Sequence, residues 1–100
     1  MSEMRDQILS DLRKIALQVL KDVPAAVYLF GSWARGQERR NSDIDIAVQF
    51  KRRPRRAFLS ELREQLEESH IPYRVDVVDL NLASKQFRRN VLKDVIRWIG

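Results

Sequence analysis

Hydrophobic residues recur along the chain at two different spacings, which predict helices in some segments and strands in others. From Glu3 to about Val23 the apolar positions lie three or four residues apart, as on one face of an amphipathic helix. Pro24 helps to end this helix. Its predicted apolar face consists of Ile8, Leu12, Ile15, Ala16, Val19 and Leu20.

Two segments after this helix have the character of strands. The run AAVYLF, residues 25–30, is apolar and rich in strand-forming residues, and Gly31-Ser32 ends it. The polar residues 33–42 are expected to form a short helix or turn and then a loop. In DIDIAVQF, residues 43–50, polar and apolar positions alternate strictly, which predicts a strand with one face in the core.

The second half of the chain repeats this order of helix and strand. Residues 58–70 predict a helix that Ile71-Pro72 ends, and YRVDVVDL, residues 73–80, predicts a third strand. A last helix is expected from Leu82. Its predicted apolar face consists of Phe87, Val91, Leu92, Val95, Ile96 and Ile99.

The resulting order is α-β-β-α-β-α, which indicates a small α/β (α+β) domain. We expect a mixed sheet of at least three strands packed with helices. A chain of 100 residues is enough for one core, so residues 1–100 are predicted to form a single domain.

The strand at residues 43–50 carries two acidic residues at its start. Asp43 and Asp45 project from the same face, about 7 Å apart along the strand. Two carboxylates held this close repel each other unless a cation lies between them. Mg²⁺ is typically bound by one or two carboxylates together with substrate phosphates, although an exposed acidic pair on an edge strand would show the same pattern.

A third acidic residue lies in the predicted strand at residues 73–80. Asp76, in RVDVV, lies on a strand that can pair with DIDIAV in one sheet. Asp79 is an alternative, but three residues further on it would point to the opposite face. We therefore favour Asp76, and we interpret Asp79 as the end of the strand or as a cap of the last helix.

The Gly31-Ser32 turn offers a place for phosphate groups. Glycine lets the backbone approach a ligand closely, and a helix that begins here would present free N–H groups. A phosphate-binding turn beside a carboxylate cluster is what phosphoryl or nucleotidyl transfer requires.

These motifs together resemble a known family. An apolar residue followed by Gly-Ser, ten residues and then Asp-Ile-Asp-Ile is similar to the signature of the DNA polymerase beta-like nucleotidyltransferase superfamily. The longer stretch GSWARGQERRNSDIDIAV resembles the minimal nucleotidyltransferase (MNT) proteins of prokaryotes more than the larger polymerases. The likeness extends over essentially the whole chain.

The resemblance implies a role for each candidate residue. Asp43, Asp45 and Asp76 would be catalytic and would bind two Mg²⁺ ions, for which Mn²⁺ can substitute. Gly31 and Ser32 would bind the β- and γ-phosphates of the substrate ATP, and Arg35 would assist. The implied reaction is attack of an acceptor hydroxyl on the α-phosphate of ATP, with release of pyrophosphate.

The resemblance also implies a partner. MNT proteins of this kind are commonly antitoxins that transfer AMP to a tyrosine of a HEPN-domain ribonuclease toxin, in a hetero-oligomer with it. Two alternatives stay open at this point. The protein could neutralise its partner by binding alone, or it could transfer a nucleotide to a small molecule or RNA.

Composition narrows the setting of the protein. The net charge of +5 suggests an anionic partner, but much of the excess lies in the run Lys51–Arg56, which lacks the interleaved aromatic residues that stack on bases. Nucleic acid is therefore not the favoured partner. There are no cysteines and no apolar run of about 20 residues, so a cytoplasmic protein without a membrane span is expected.

Overall fold

The computed structural model describes residues 2–54, 57–93 and 95–99, and it confirms the predicted fold class. Three helices pack against a sheet of four strands. In chain order the elements are α1 (Ser2–Val19), β1 (Ala25–Phe30), β2 (Ile44–Phe50), α2 (Phe58–Glu68), β3 (Val75–Asp79), α3 (Lys85–Val91) and β4 (Ile96–Ile99).

The sheet is mixed, with the strand order β3-β2-β1-β4. The central strand β1 is antiparallel to both β2 and β4, whereas β2 and β3 are parallel. Parallel neighbours need a crossover connection, and α2 supplies it between β2 and β3. The starts of β2 and β3 therefore lie at the same end of the sheet.

Helices cover the two faces of the sheet unequally. The main core lies between one face of the sheet and the helices α1 and α2, and it includes Leu12, Leu29, Ile46 and Leu62, which are fully buried. A smaller core lies on the other face, where α3 packs. It consists of Ala47, Leu80 and Val91, with Tyr28, Phe30, Val78 and Val95 partly buried against them.

The prediction that the last helix extends to Ile99 is wrong. α3 ends at Val91, and residues 96–99 form β4 on the free edge of β1, with Leu29 opposite Ile96. Isoleucine and tryptophan suit a strand, but their spacing suits a helix as well, and only the available edge of β1 decides between them. Leu92 and Ile96 are consequently 38% and 42% exposed, and the side chain of Ile99 lies outside what the structure describes.

Smaller differences concern the ends of elements. α1 ends at Val19, four residues before the predicted end, and a turn in which Asp22 has a φ of 64° follows it. Residues 32–36 form turns, so the alternative of a short helix there is not observed. Asp43 lies one residue before β2 and does not belong to the strand.

The basic run Lys51–Arg56 follows β2. Lys51, Arg52 and Arg53 are exposed, whereas Arg55 and Arg56 lie outside the described residues. Within the described part of the chain, none of the helices combines the length and the apolar character that crossing a membrane requires.

Candidate functional site

One row of side chains crosses three strands at the open end of the sheet. Phe30 of β1 lies opposite Asp45 of β2, and Asp45 lies opposite Asp76 of β3. Residues paired in this way point to the same face of a sheet. The next row on this face belongs to the small core under α3, which also includes Phe30. The row of Phe30, Asp45 and Asp76, here called the acidic row, thus borders the part of the sheet that α3 covers.

The three predicted acidic residues differ in their exposure. Asp43 is exposed, Asp45 is partly buried, and the side chain of Asp76 is 40% exposed. The Oδ1 atom of Asp76 lies 3.2 Å from Nε of Arg74, whose own side chain is 76% exposed. The structure thus brings Asp76 beside Asp45, with an exposed arginine already in contact with one of the two carboxylates.

Electrostatics mark Asp45 as the centre of this acidic group. Burial raises the pKa of Asp45, and the negative charges of Asp76 and then Asp43 raise it further. The positive charge of Arg35 lowers this pKa in part. Both acidic partners and Arg35 are therefore close enough to Asp45 to influence its ionisation.

The Gly31 turn lies directly against Asp45. Gly31 has a φ of 75°, a conformation that residues with a Cβ rarely adopt. A Cβ placed on Gly31 would overlap Oδ2 of Asp45 and lie 3.3 Å from its Cγ. The absence of a side chain at Gly31 thus lets the backbone and the carboxylate approach each other.

Backbone hydrogen bonds close the turn after Gly31. The carbonyl of Gly31 accepts from the N–H groups of Ala34 and Arg35 at 3.1 and 3.3 Å, and that of Ser32 accepts from Gln37 at 2.9 Å. The Arg35 side chain is exposed, and its Nε donates to Gln37 at 3.3 Å. Arg35 is therefore held on the same turn, facing solvent.

Trp33 anchors this turn to the rest of the fold. Its side chain is 3% exposed and belongs to the main core. Its Nε1 donates to the carbonyl of Ser42 at 3.3 Å, and its ring contacts Tyr73 edge-on with centroids 5.0 Å apart. Trp33 thus connects the turn to the residues that precede β2 and β3.

The structure places Asp79 away from Asp45. Asp79 is the last residue of β3, where it lies opposite Val48, and its Oδ1 accepts from the backbone N–H of Asn81 at 2.9 Å. The interpretation of Asp79 as the end of the strand is confirmed. The last helix is capped by Ser84, whose Oγ accepts from the N–H of Phe87 at 3.1 Å.

The acidic row suits a divalent cation that a substrate helps to bind. Within the described residues, no three histidine, cysteine, aspartate or glutamate side chains lie together closely enough to hold an ion by themselves. Mg²⁺ needs fewer than three when substrate phosphates supply other ligands. Burial and then the charges of Asp76 and Asp43 raise the pKa of Asp45, so its ionised form is disfavoured here, and a cation bound beside it would stabilise that form.

Two residues near the site were not identified from the sequence. Arg74 lies two positions before Asp76, a spacing that places both on one face of a strand and could have indicated the ion pair. Phe87 was predicted to be a core residue, yet it is 42% exposed. Both line a cavity of about 730 Å³ that also contains Asp45 and Asp76.

The mixed sheet, the helices and the acidic row beside a Gly-Ser turn place the protein in the nucleotidyltransferase class. Residues 11–97 match the family described as polymerase beta, nucleotidyltransferase, and the chain belongs to this family. The resemblance inferred from the motifs is confirmed, and the protein is a nucleotidyltransferase.

Individual relatives point to one branch of the family. The chain is 35% identical over 68 residues to the protein adenylyltransferase MntA of Thermococcus cleftensis, a match that covers 68% of each protein. It is also similar to a chain in a toxin–antitoxin crystal structure with AMP-PNP, with a TM-score of 0.69 and 32% identity over 88% of this chain and 73% of that one.

A third similarity is to a Shewanella oneidensis structure, in which a tri-AMPylated HEPN toxin is in complex with an MNT antitoxin. The TM-score is 0.69 and the identity 25%, and the match covers 96% of this chain and 72% of that one. The relatives thus include a protein adenylyltransferase and components of toxin–antitoxin complexes.

Proposed function

We propose that this protein is an antitoxin that transfers AMP from ATP to a tyrosine hydroxyl of a HEPN ribonuclease toxin. The observation that carries the proposal is the position of Asp45, which lies opposite Asp76 in the sheet and directly against Gly31. Acidic residues and a phosphate-binding turn are thereby combined within one small site. The relatives support the acceptor class, since they include a protein adenylyltransferase and a chain from the structure of a tri-AMPylated HEPN toxin in complex with an MNT antitoxin.

In this proposal the acidic residues bind the metal and the turn binds the nucleotide. Asp43, Asp45 and Asp76 would hold two Mg²⁺ ions, for which Mn²⁺ could substitute. Bound there, the ions would supply charge neutralisation for the phosphates and the reacting oxygens. Gly31 and Ser32 contact the β- and γ-phosphates. The crystal structure with AMP-PNP, an analogue of ATP, supports ATP as the substrate.

The remaining steps belong to side chains of the chain itself. Asp76 accepts the proton of the acceptor hydroxyl, whose oxygen then forms a bond to the α-phosphorus. The bond from that phosphorus to the bridging oxygen breaks, and pyrophosphate leaves on the side of the Gly31 turn. Arg35, which is exposed on this turn and close enough to lower the pKa of Asp45, neutralises phosphate charge.

The proposal includes the setting of the reaction. Residues 1–100 act as a single catalytic domain that forms a hetero-oligomer with the toxin in the cytoplasm. A minimal domain of this kind leaves the acceptor to be positioned by the partner protein. Neither nucleic acid nor a membrane is needed as a partner.

Transfer of labelled AMP tests the proposal. The protein is incubated with α-labelled ATP, Mg²⁺ and the HEPN protein, and we expect label on a tyrosine of the toxin. Asp45→Asn should abolish this label, whereas Asp79→Asn makes the same chemical change at the end of β3 and should retain it. The amide oxygen introduced by Asp79→Asn can still accept from the N–H of Asn81, as the carboxylate of Asp79 does.

The same experiment separates the alternatives. Full neutralisation of the toxin by Asp45→Asn would show that the protein acts by binding alone. Label on RNA or on a small molecule in the absence of the HEPN protein would show a different acceptor class.

A further inference from the structure

The cavity beside the acidic row is lined by its two carboxylates but not by the Gly31-Ser32 turn. Asp45 and Asp76 lie in its wall, and it extends from them past the edge strand β3 towards the end of α2. Gly31 and Ser32 do not belong to the lining that the described residues form. The cavity therefore extends from the acidic row towards β3 and α2, beyond the turn that we assign to the phosphates.

The geometry of in-line transfer indicates that the acceptor enters through this cavity. The attacking oxygen and the leaving pyrophosphate lie on opposite sides of the α-phosphorus. If pyrophosphate leaves at the Gly31 turn, this cavity is the remaining approach for the acceptor, because its lining holds Asp45 and Asp76 but neither Gly31 nor Ser32. The volume of about 730 Å³ is within the roughly 300–1,000 Å³ usual for ligand pockets.

Aromatic side chains form part of the cavity wall next to the acidic row. Phe30 lies opposite Asp45 in the sheet, and the ring of Phe87 meets the ring of Phe30 edge-on, with centroids 6.5 Å apart. Phe87 is 42% exposed, although α3 buries Val91 one turn later. An exposed phenylalanine held in place by a second ring is a preformed contact for a further aromatic ring.

We propose that this cavity binds the aromatic side chain of the acceptor and that Phe87 determines the preference for tyrosine over serine or threonine. The inference rests on the proposed function and names a residue that recognises its acceptor. A tyrosine ring against Phe87 would lie in the same cavity as Asp45 and Asp76. A serine or threonine side chain presents a hydroxyl without a ring and gains nothing from Phe87.

Binding of a small tyrosine probe tests this inference without the toxin and without turnover. The isotopically labelled full chain, saturated with α,β-methylene-ATP and Mg²⁺, is titrated with N-acetyl-tyrosinamide while backbone amide shifts are recorded by NMR. The methylene bridge replaces the oxygen between the α- and β-phosphates, so the bond that AMP transfer breaks cannot be cleaved. We expect saturable shifts at Asp76 and Phe87, and no saturable shifts with N-acetyl-serinamide. Phe87→Ala should weaken binding of the tyrosine probe by about three- to tenfold, as expected for the loss of one aromatic pair.

Three further variants make the test specific. Phe87→Leu keeps an apolar side chain without a ring and should also weaken binding, whereas Phe87→Tyr should preserve it. Leu92→Ala is the matched control, because Leu92 is 38% exposed near the end of the same helix and lies outside the cavity lining. It should bind the probe as the wild type does.

The outcomes that overturn the inference are distinct. Equal binding of the two amides, no binding of the tyrosine probe to the wild type, or unchanged binding in Phe87→Ala would each refute it. Weaker binding of α,β-methylene-ATP in Phe87→Ala, with the tyrosine probe unaffected, would assign Phe87 to the nucleotide instead. Loss of AMP transfer to the HEPN protein with probe binding intact would remove the proposed function and leave this binding site standing.

Discussion

Replacing Gly31 with alanine should disable the site more than it destabilises the fold. A Cβ at this position would overlap Oδ2 of Asp45, and the φ of 75° would be strained in any residue with a side chain. The two effects have different consequences. Strain lowers the free energy of unfolding, whereas the overlap displaces the carboxylate at the centre of the acidic row.

Gly36 provides a control that separates these effects. Its φ is 67°, close to that of Gly31, but a Cβ at Gly36 would meet no atom within 4 Å. Alanine at either position should lower the free energy of unfolding by about 1–2 kcal/mol, the usual cost of left-handed backbone for an L-residue. For a domain of this size, each kcal/mol corresponds to a decrease in Tm of about 4–8 °C.

Only Gly31→Ala should impair catalysis strongly. Relieving the overlap to an ordinary van der Waals separation requires the Asp45 carboxylate to move by about 1 Å. A displacement of that size at a reacting centre lowers the rate by about 100-fold. The measurement is the initial rate of AMP transfer from α-labelled ATP to the HEPN protein, made below the Tm of both variants.

A double-mutant cycle tests whether the overlap with the Asp45 carboxylate causes the extra effect of Gly31→Ala. In an Asp45→Ala background the overlap is gone, so adding Gly31→Ala should lower the free energy of unfolding only by the strain seen in Gly36→Ala. Transfer by Gly31→Ala at a rate within about twofold of Gly36→Ala would refute the reasoning, because the carboxylate would then tolerate the added methyl group.

Two predictions follow from the charge of the acidic row. Because burial and the neighbouring carboxylates raise the pKa of Asp45 above its unfolded value, the native state binds the extra proton, and its stability falls as pH rises through the pKa of folded Asp45. Asp45→Asn should therefore have a higher Tm than the wild type at neutral pH. This difference in Tm should shrink as the pH is lowered. Equal Tm values at neutral pH would contradict the prediction. In the second experiment, AMP-PNP with Mg²⁺ at about 100 times its Kd should stabilise the wild type by about 2.7 kcal/mol, and much less stabilisation is expected for Asp43→Asn/Asp45→Asn. An equal shift in wild type and double variant, measured by thermal unfolding, would exclude these residues from the binding site.

Much of the candidate site could be predicted from the sequence because local patterns determine which face of a strand its acidic residues occupy. Strict alternation in residues 43–50 places Asp43 and Asp45 on one face and the isoleucines on the other. A slip by one residue would bury both carboxylates, so the register of this strand has one acceptable solution. Gly31 was likewise recognisable as a turn residue after an apolar strand.

Alternation also led to the choice of Asp76, but which residue lies beside Asp76 depends on how β2 and β3 pair in the sheet. Alternation separates Asp76 from Asp79 within one strand. It does not say which residue of β2 lies opposite, and the parallel register that places Asp76 beside Asp45 is set by the crossover through α2. Contacts of this kind depend on how distant segments pack.

The tertiary structure alone decided the C-terminal region. Residues 92–99 have apolar spacings compatible with a helix or a strand, and the unpaired edge of β1 made the last four a strand. α3 is limited to Lys85–Val91, and Phe87 near its start packs against Phe30 and lies exposed in the cavity wall. Local sequence thus determined which residues are candidates for the chemistry, whereas long-range packing decided how they lie together on one face of the sheet.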